Sequence, residues 1–223
     1  MNAAPSQSPN CEHVAPPRKT WMYKAGQAIC RIAALNGFDL KAYAINNVPR
    51  QGGVLIVANH QSFLDPIMLA VKLPRPVSFM AKSELFDGNR VFSRLIRNLN
   101  AFPVRQGEGD VGAVRETIKR LQAGHVLIVF PEGERTHDGQ IGKLEGGVGL
   151  IIRRAGPDVK VIPAAVDGAF KAWPKHQKLP RLCPIRVKYG PALHLAHLKN
   201  SQIMQTVDGH IRGLFEDLRN GRT

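Results

Sequence analysis

Val54-Leu55-Ile56-Val57-Ala58 runs directly into Asn59-His60-Gln61-Ser62-Phe63-Leu64-Asp65, and this segment is the strongest indication of the fold. Its apolar half predicts a strand. A histidine leaves the strand where it should end, and a carboxylate follows five residues later across a short bend. Such a pair can take a proton from a hydroxyl near neutral pH, because the imidazole accepts the proton and the carboxylate fixes its tautomer.

Strands and helices alternate on both sides of this stretch. The predicted strands are Leu40–Ile45, Val54–Ala58, Val77–Ala81, Phe102–Val104, Val126–Phe130, Val159–Val166 and Ile185–Tyr189. The predicted helices are Pro66–Leu73, Asn89–Asn98, Asp110–Ala123, Gly146–Ala155 and Ser201–Asn220. This alternation predicts an α/β fold with a single mixed, largely parallel sheet flanked by helices.

Composition divides the chain into three parts. Residues 1–19 are rich in Pro, Ser and Asn and have no apolar period, which predicts a disordered tail. Residues 20–37 carry apolar side chains at helical spacing from Trp21 onward, with Gly37 as the predicted stop. This amphipathic helix either packs on the core or lies in a membrane interface. Residues 38–223 form the predicted catalytic domain.

The charge balance indicates an anionic partner. The chain has 223 residues, of which 43% are apolar, so a core is expected. Its 31 Lys and Arg outweigh 17 Asp and Glu, which gives a net charge of +14. A surplus of this size attracts nucleic acid, phospholipid headgroups or phosphorylated small molecules.

The cysteines and the hydropathy indicate a reducing compartment and no membrane span. Cys11, Cys30 and Cys183 are widely spaced without a Cys-x-x-Cys, which argues against a zinc site and a disulfide framework. No stretch approaches the roughly 18 consecutive apolar residues of a spanning helix. No secretory signal is visible at the N-terminus. We therefore expect neither a bound metal nor a transmembrane segment.

His60 and Asp65 can meet only if a loop separates them. On a continuous helix, five residues would rotate the two side chains about 140° apart. Asp65-Pro66 suits a helix start, because Asp is a common N-cap and Pro fits the first turn. The alternative is that Asp65 only caps this helix and His60 is an ordinary loop residue.

Further polar clusters follow other strands. Glu132-Gly133-Glu134-Arg135-Thr136 comes after Val126–Phe130, and Arg105 comes after Phe102–Val104. Ligands of open α/β sheets collect at the carboxyl ends of strands, and guanidinium groups bind phosphate well. Lys143, close to a predicted helix start, adds a further cation. The pattern predicts that these groups converge on one anion-binding site.

In order and content these motifs resemble the 1-acyl-sn-glycerol-3-phosphate acyltransferases, a family of glycerolipid acyltransferases. The resemblance runs from about Leu40 to Leu195 and is strongest at Asn59 to Asp65 and at Phe130 to Arg135. It implies that His60 is the general base on the free hydroxyl of lysophosphatidate. The hydroxyl then attacks the thioester of acyl-CoA or of acyl-carrier protein directly, makes phosphatidate and needs no other cofactor.

The same resemblance implies roles for the other candidates. Asp65 orients the histidine; Glu132, Gly133 and Arg135 match the segment that holds the glycerol phosphate; Arg105 matches an assisting basic residue. Thr136 and Lys143 are further predicted substrate-binding residues. Glu134 departs from the family pattern, which has a small hydroxyl residue there. The acceptor is therefore left open between lysophosphatidate and another lysophospholipid or a lyso-ornithine-type lipid.

Two acid-free basic stretches predict contact with an anionic membrane surface. They run from Arg90 to Arg105 and from Lys171 to Lys188, and both contain apolar and aromatic residues. We expect a peripheral enzyme on the cytoplasmic face of a membrane. A different class, a non-catalytic module that binds anionic lipid or nucleic acid, explains the charge but not the His-Asp pair. No nucleic-acid motif is present, so nucleic acid is not expected as a partner.

Overall fold

One mixed sheet organises the molecule. The computed structural model describes Val14, Pro17 and residues 19–104 and 111–222. Its strands in these residues are β1 (Lys41–Tyr43), β2 (Val54–Ala58), β3 (Val77–Lys82), β4 (Ala101–Val104), β5 (Val126–Val129), β6 (Lys160–Asp167) and β7 (Arg186–Tyr189). They pair in the order β1-β7-β6-β2-β5-β3-β4, and within this set β6–β7 is the antiparallel pair. The predicted single mixed, largely parallel sheet is confirmed.

Helices cover both faces of the sheet. They are α1 (Trp21–Phe38), α2 (Asp65–Ala70), α3 (Glu84–Asp87), α4 (Arg90–Asn98), α5 (Val111–Gln122), α6 (Gly147–Ala155), α7 (Ala169–Ala172) and α8 (Asn200–Arg219). The sequence did not predict the short helices α3 and α7. Most of the predicted tail, residues 1–19, lies outside the described residues, as does Asp110.

The core forms two layers because β2 is buried on both faces. Val54, Ile56 and Ala58 point into one apolar cluster, and Leu55 and Val57 point into the other. Side chains alternate across a strand, so a central parallel strand must be apolar throughout. The first cluster packs under α1 and α2, and the second packs under α5, α6 and α8.

Helix α1 is capped at its N-terminus and tied there to the sheet. The Thr20 hydroxyl accepts a hydrogen bond from Tyr23 N at 3.0 Å, and the Tyr23 hydroxyl accepts one from Val77 N at 3.0 Å. The prediction that Gly37 stops the helix is wrong. The helix continues through Phe38 and ends where Asp39 turns left-handed, with φ of 38°. Asp tolerates this conformation better than most residues, because its short polar side chain can bond locally.

Strand β1 is shorter than the predicted Leu40–Ile45. It ends at Tyr43, because Ala44 adopts a left-handed φ of 55° and a 3-10 turn over Ile45–Asn47 follows. The remaining predicted strands are found with ends shifted by at most one residue. Periodicity therefore located the elements, and local backbone turns decided where they end.

Pro163 lies inside β6, where a proline removes a ladder hydrogen bond. Its carbonyl accepts from Gly190 N at 2.7 Å, on the side of β7. Strand β7 has ended at Tyr189, so the missing N–H of Pro163 faces the side where regular pairing has stopped. On its other side, β6 keeps its parallel pairing with β2, in which Val57 is the partner of Pro163.

Candidate active site

The carboxyl ends of β6, β2 and β5 lie side by side and carry the polar loops. Asn59, the first residue after β2, is buried and binds the neighbouring strand twice. Its Nδ2 donates to Val166 O at 2.9 Å, and its Oδ1 accepts from Val166 N at 2.8 Å. These two hydrogen bonds to the Val166 backbone fix the position of the chain just before His60.

His60 and Asp65 form a close pair. His60 Nδ1 lies 2.7 Å from Asp65 Oδ2. The same Oδ2 accepts from Gln61 N at 2.6 Å and from Ser62 N at 2.7 Å, while Oδ1 makes no hydrogen bond among residues 19–104 and 111–222. Helix α2 begins at Asp65, as predicted, and the carboxylate turns back toward the loop. The capping alternative is wrong, because this carboxylate accepts from amides that precede the helix.

The backbone and ring of His60 are fixed as well. His60 N donates to Glu132 Oε1 at 2.7 Å, and His60 O accepts from Thr136 N at 2.9 Å. Phe130 stacks on the imidazole with ring centroids 4.0 Å apart and planes at 14°. Nε2 makes no hydrogen bond to any described residue, so this nitrogen can accept a proton from a substrate while Nδ1–H donates to Asp65.

Burial is the main influence on the pKa values of the two carboxyl groups that bind His60. Burial raises the pKa of Asp65, and the hydrogen bonds from His60 and from the amides of Ser62 and Gln61 act against it. Burial also raises the pKa of Glu132, against the hydrogen bonds from Gly142 N and His60 N. When His60 takes a proton, its new charge lies beside Asp65, which is the arrangement that stabilises an imidazolium.

A cavity of about 400 Å³ is lined by Glu132, whose carboxylate accepts from His60 N, and not by His60 or Asp65 themselves. The structure brings four of the predicted binding residues to its wall, namely Glu132, Arg135, Thr136 and Lys143. Gly133 lies in the turn between them with φ of 73°, a left-handed conformation that favours glycine. Arg105 lies outside the described residues, so its predicted place at the site stays a prediction.

The polar side-chain atoms of Glu132 and Thr136 form hydrogen bonds within the protein. Glu132 Oε2 accepts from Gly142 N at 2.8 Å, so its two oxygens join the loops that follow β2 and β5. The Thr136 hydroxyl donates to Asp138 Oδ1 at 2.9 Å and accepts from Gly139 N at 3.1 Å. Both side chains therefore shape the site, and substrate contact by either stays a prediction.

Arg135 offers a guanidinium without a carboxylate partner. Its Cζ lies 3.5 Å from the ring centroid of Phe63, and its Nη1 is buried without a hydrogen bond to any described residue. Phe63 in turn packs against Trp173, with centroids 5.8 Å apart. Lys143 is exposed and also makes no hydrogen bond within the described part of the chain. These two cations can bind an anion in the cavity, whose wall also carries four carboxylate side chains.

Several residues of the site were missed by the sequence reading. Gln61 Nε2 donates to Gly139 O at 3.1 Å, and Gln61 Oε1 accepts from Phe170 N at 3.3 Å. Phe63 and Trp173 form the platform beneath Arg135. Gln61 and Phe63 lie between His60 and Asp65, in a segment interpreted as a simple bend. The available signal was a glutamine and a phenylalanine close in sequence to the candidate base His60.

A close His-Asp pair at the carboxyl ends of a parallel sheet, joined through Glu132 to a cavity that carries Arg135 and Lys143, is suited to general-base chemistry. A protein-family model described as Acyltransferase matches residues 39–167, more than half of the chain. The chain belongs to this acyltransferase family and is an O-acyltransferase.

Relatives of known name agree with this placement. The chain is 28% identical to a 1-acyl-sn-glycerol-3-phosphate acyltransferase of Bacillus subtilis, over 89% of this chain and 98% of the relative. It is 27% identical to one of Streptococcus pneumoniae, over 90% and 74% respectively. The crystal structure of the 1-acyl-sn-glycerophosphate acyltransferase PlsC from Thermotoga maritima superposes with a TM-score of 0.74 and 26% identity, over 88% of this chain and 79% of that one.

Proposed function

We propose that the chain transfers an acyl group from an acyl thioester, carried by CoA or by acyl-carrier protein, to the free hydroxyl of lysophosphatidate. The observation that carries this proposal is the His60–Asp65 pair, 2.7 Å apart, which Glu132 joins to a cavity lined by Arg135 and Lys143. The two relatives with the names given above, which match most of this chain, support lysophosphatidate as the acceptor.

The chemistry needs one base and no covalent enzyme intermediate. Nε2 of His60 takes the proton of the acceptor hydroxyl as its oxygen attacks the thioester carbonyl carbon. The carbon–sulfur bond then breaks, and the leaving thiolate takes the proton from the imidazolium. Asp65 stabilises the charged ring between these two proton transfers.

The Ser62 hydroxyl and the thiols of Cys30 and Cys183 are poor candidates for a nucleophile. Ser62 is fully buried; its Oγ donates to Trp173 O at 2.8 Å and accepts from Leu64 N at 3.2 Å. Burial raises the pKa of Cys30, and it also raises that of Cys183, which lowers the thiolate fraction of each. Direct transfer between the two substrates is therefore favoured over an acyl-enzyme.

An apolar cavity beside α2 offers room for an acyl chain. It measures about 300 Å³ and opens between α1, α2, β3 and α4. Pro66 and Ile67 line it, so it lies within one helical turn of Asp65. Its other walls are almost wholly aliphatic and aromatic, which suits a hydrocarbon chain.

A matrix of donors and acceptors tests the proposal. Purified protein is assayed with acyl-CoA and with acyl-carrier protein against lysophosphatidate, another lysophospholipid and a lyso-ornithine lipid. We expect lysophosphatidate to give the highest kcat/KM. His60→Ala should lower transfer by about a thousandfold, while His194→Ala, an exposed histidine next to Lys160 at the amino end of β6, should leave it unchanged. Transfer that survives His60→Ala would overturn the mechanism, and a preference for another acceptor would overturn the substrate.

We also propose that the enzyme attaches peripherally to an anionic membrane. Within the residues that the structure describes, no helix is both long and apolar enough to cross a bilayer. Helix α1 nevertheless exposes Trp21, Ile29 and Ile32, and the loop after α7 exposes Leu179 and Leu182. Exposed apolar side chains on a strongly basic chain suit a bilayer of anionic lipids.

Co-sedimentation with liposomes tests this attachment. The wild type should pellet with anionic liposomes at low salt and less at high salt. The double variant Ile29→Ser, Ile32→Ser should stay in the supernatant. Val111→Ser is the control, because Val111 is an exposed apolar residue on α5, which covers the other face of the sheet. Equal pelleting of the double variant and the wild type would contradict the proposal.

A further inference from the structure

An exposed ion pair lies beside the cavity of about 400 Å³, at the part of its wall that Glu134 forms. Lys175 Nζ lies 3.2 Å from Glu134 Oε2, and His137 Nε2 lies 3.5 Å from the same oxygen. Glu134 lines the cavity, so the ammonium group of Lys175 lies one hydrogen bond beyond its wall. The side chains of Glu134 and Lys175 are 66% and 42% exposed.

The loop that carries Lys175 is anchored to the active site. Ser62, between His60 and Asp65, donates its hydroxyl proton to Trp173 O at 2.8 Å. Trp173 Nε1 donates to Gln177 O at 2.9 Å, which closes the turn that contains Lys175. The ring of Trp173 also packs on Phe63, and Phe63 supports Arg135. Lys175 is thus held on the same platform as the guanidinium group.

The pair can exchange partners at little cost. Solvent and salt screen exposed ion pairs, so each such pair stabilises a protein only slightly. A phosphate monoester carries up to two charges and several strong acceptor oxygens, so it is a better partner for an ammonium group than one carboxylate. It can also accept a hydrogen bond from Arg135 Nη1, which is buried without a partner among the described residues.

We propose that Lys175 is an acceptor-binding residue that exchanges the Glu134 carboxylate for the phosphate monoester of the acceptor headgroup. Glu134 occupies Lys175 in the free enzyme and competes with the incoming headgroup. This inference rests on the proposed function, because it assigns a further binding group to the same acceptor. It also explains how a carboxylate can lie beside an anion site, where it would otherwise only repel the ligand.

Steady-state kinetics test the exchange. A short-chain lysophosphatidate is used below its micelle-forming concentration, so that no membrane surface takes part. Lys175→Met should raise KM for the acceptor about tenfold with kcat within about twofold. Glu134→Thr should lower KM about threefold, and the double variant should resemble Lys175→Met, because Glu134 acts through the lysine. Lys178→Met removes the same charge from the same loop and should change KM less than twofold. Equal effects of the two lysine variants would overturn the proposal.

Equilibrium binding separates this inference from the proposed function. The chain has two tryptophans, so Trp21→Phe leaves Trp173 as a fluorescent reporter close to Lys175. In that background glycerol 3-phosphate should change the fluorescence, and Lys175→Met should weaken binding about tenfold while Lys178→Met should not. Inorganic phosphate should bind more weakly than glycerol 3-phosphate. Equal affinity for the two ligands, or no effect of Lys175→Met, would overturn the inference. If lysophosphatidate is not acylated but glycerol 3-phosphate binding depends on Lys175, the proposed function fails and the binding site stands.

Discussion

The inner and outer parts of the active site are built in opposite ways. At the inner part, the His60 side chain is 18% exposed and the Asp65 side chain is wholly buried. Asp65 accepts hydrogen bonds from the His60 ring and from the backbone of Gln61 and Ser62, and Glu132 accepts one from the His60 backbone. At the outer part, Glu134 and Lys175 are 66% and 42% exposed and contact each other through flexible side chains. Both parts lie at the same sheet edge.

Proton transfer and headgroup binding require different degrees of rigidity. Proton transfer requires a base within hydrogen-bonding reach and in the right tautomer, so small displacements are costly. Capture of a charged headgroup requires cations that can change partners, and solvent-exposed pairs do this at little cost. Substitutions at the inner part should therefore act mainly on kcat, and those at the outer part mainly on KM.

Asp65→Asn should cause the largest loss. The amide oxygen can still accept from Gln61 N and Ser62 N, and the amide nitrogen would take the place of Oδ1, which makes no hydrogen bond to a described residue. The fold should therefore survive, but the imidazolium loses its counter-charge. We expect kcat to fall about a thousandfold, with the acceptor KM within about threefold.

Asp158→Asn is the matched control for this change. Asp158 is exposed before the amino end of β6, at the opposite edge of the sheet from the site. Its kcat should equal that of the wild type, and circular dichroism should show both variants folded. If Asp65→Asn keeps more than a tenth of the wild-type rate, the Asp65 carboxylate only anchors the loop and does not stabilise the charged ring of His60.

Glu132→Ala should have the next largest effect, although Glu132 was predicted from the sequence to bind substrate. Its carboxylate holds His60 N and Gly142 N, so the alanine leaves two backbone donors without partners. We expect a loss of about 1–3 kcal/mol in the free energy of unfolding. Displacement of the histidine should lower kcat about thirtyfold. Glu216→Ala, an exposed carboxylate on α8, should change neither quantity. A rise in the acceptor KM at constant kcat would instead restore the predicted binding role.

Phe63→Leu should have a smaller effect, and on KM. The ring lies 3.5 Å from Arg135 Cζ and orients the guanidinium. Loss of this cation–π contact should raise the acceptor KM about threefold and leave kcat nearly unchanged. Phe63→Tyr keeps the ring face and should behave as the wild type does. An equal fall of kcat in both variants would place Phe63 with the inner part of the site.

Sequence reasoning recovered the parts of this site that local pattern determines. The apolar run Val54–Ala58 located the central strand, and Asp65-Pro66 located the helix start that lets the carboxylate turn back. It could not find contacts between distant segments. Glu132 lies 72 residues from His60, and Lys175 lies 41 residues from Glu134. Whether a side chain faces a ligand or a backbone amide depends on how these loops pack, which periodicity and spacing do not determine.

The smallest expected effect is a pH dependence of the unfolding free energy, with opposite signs for Glu132 at the inner part and Glu134 at the outer part. Burial raises the pKa of Glu132 above its ordinary 4.5, so between 4.5 and that raised value the native state holds a proton that the unfolded chain has released. The unfolding free energy of the wild type minus that of Glu132→Gln should therefore fall as pH rises through this window, and then level off. At Glu134 the hydrogen bond from Lys175 lowers the pKa below 4.5, so the corresponding difference for Glu134→Gln should rise with pH through a window below 4.5. Urea unfolding of the three proteins across both windows measures these slopes. Two slopes of the same sign would mean that the two carboxylates are not held in opposite ways, and the comparison between the inner and outer parts of the site would fail.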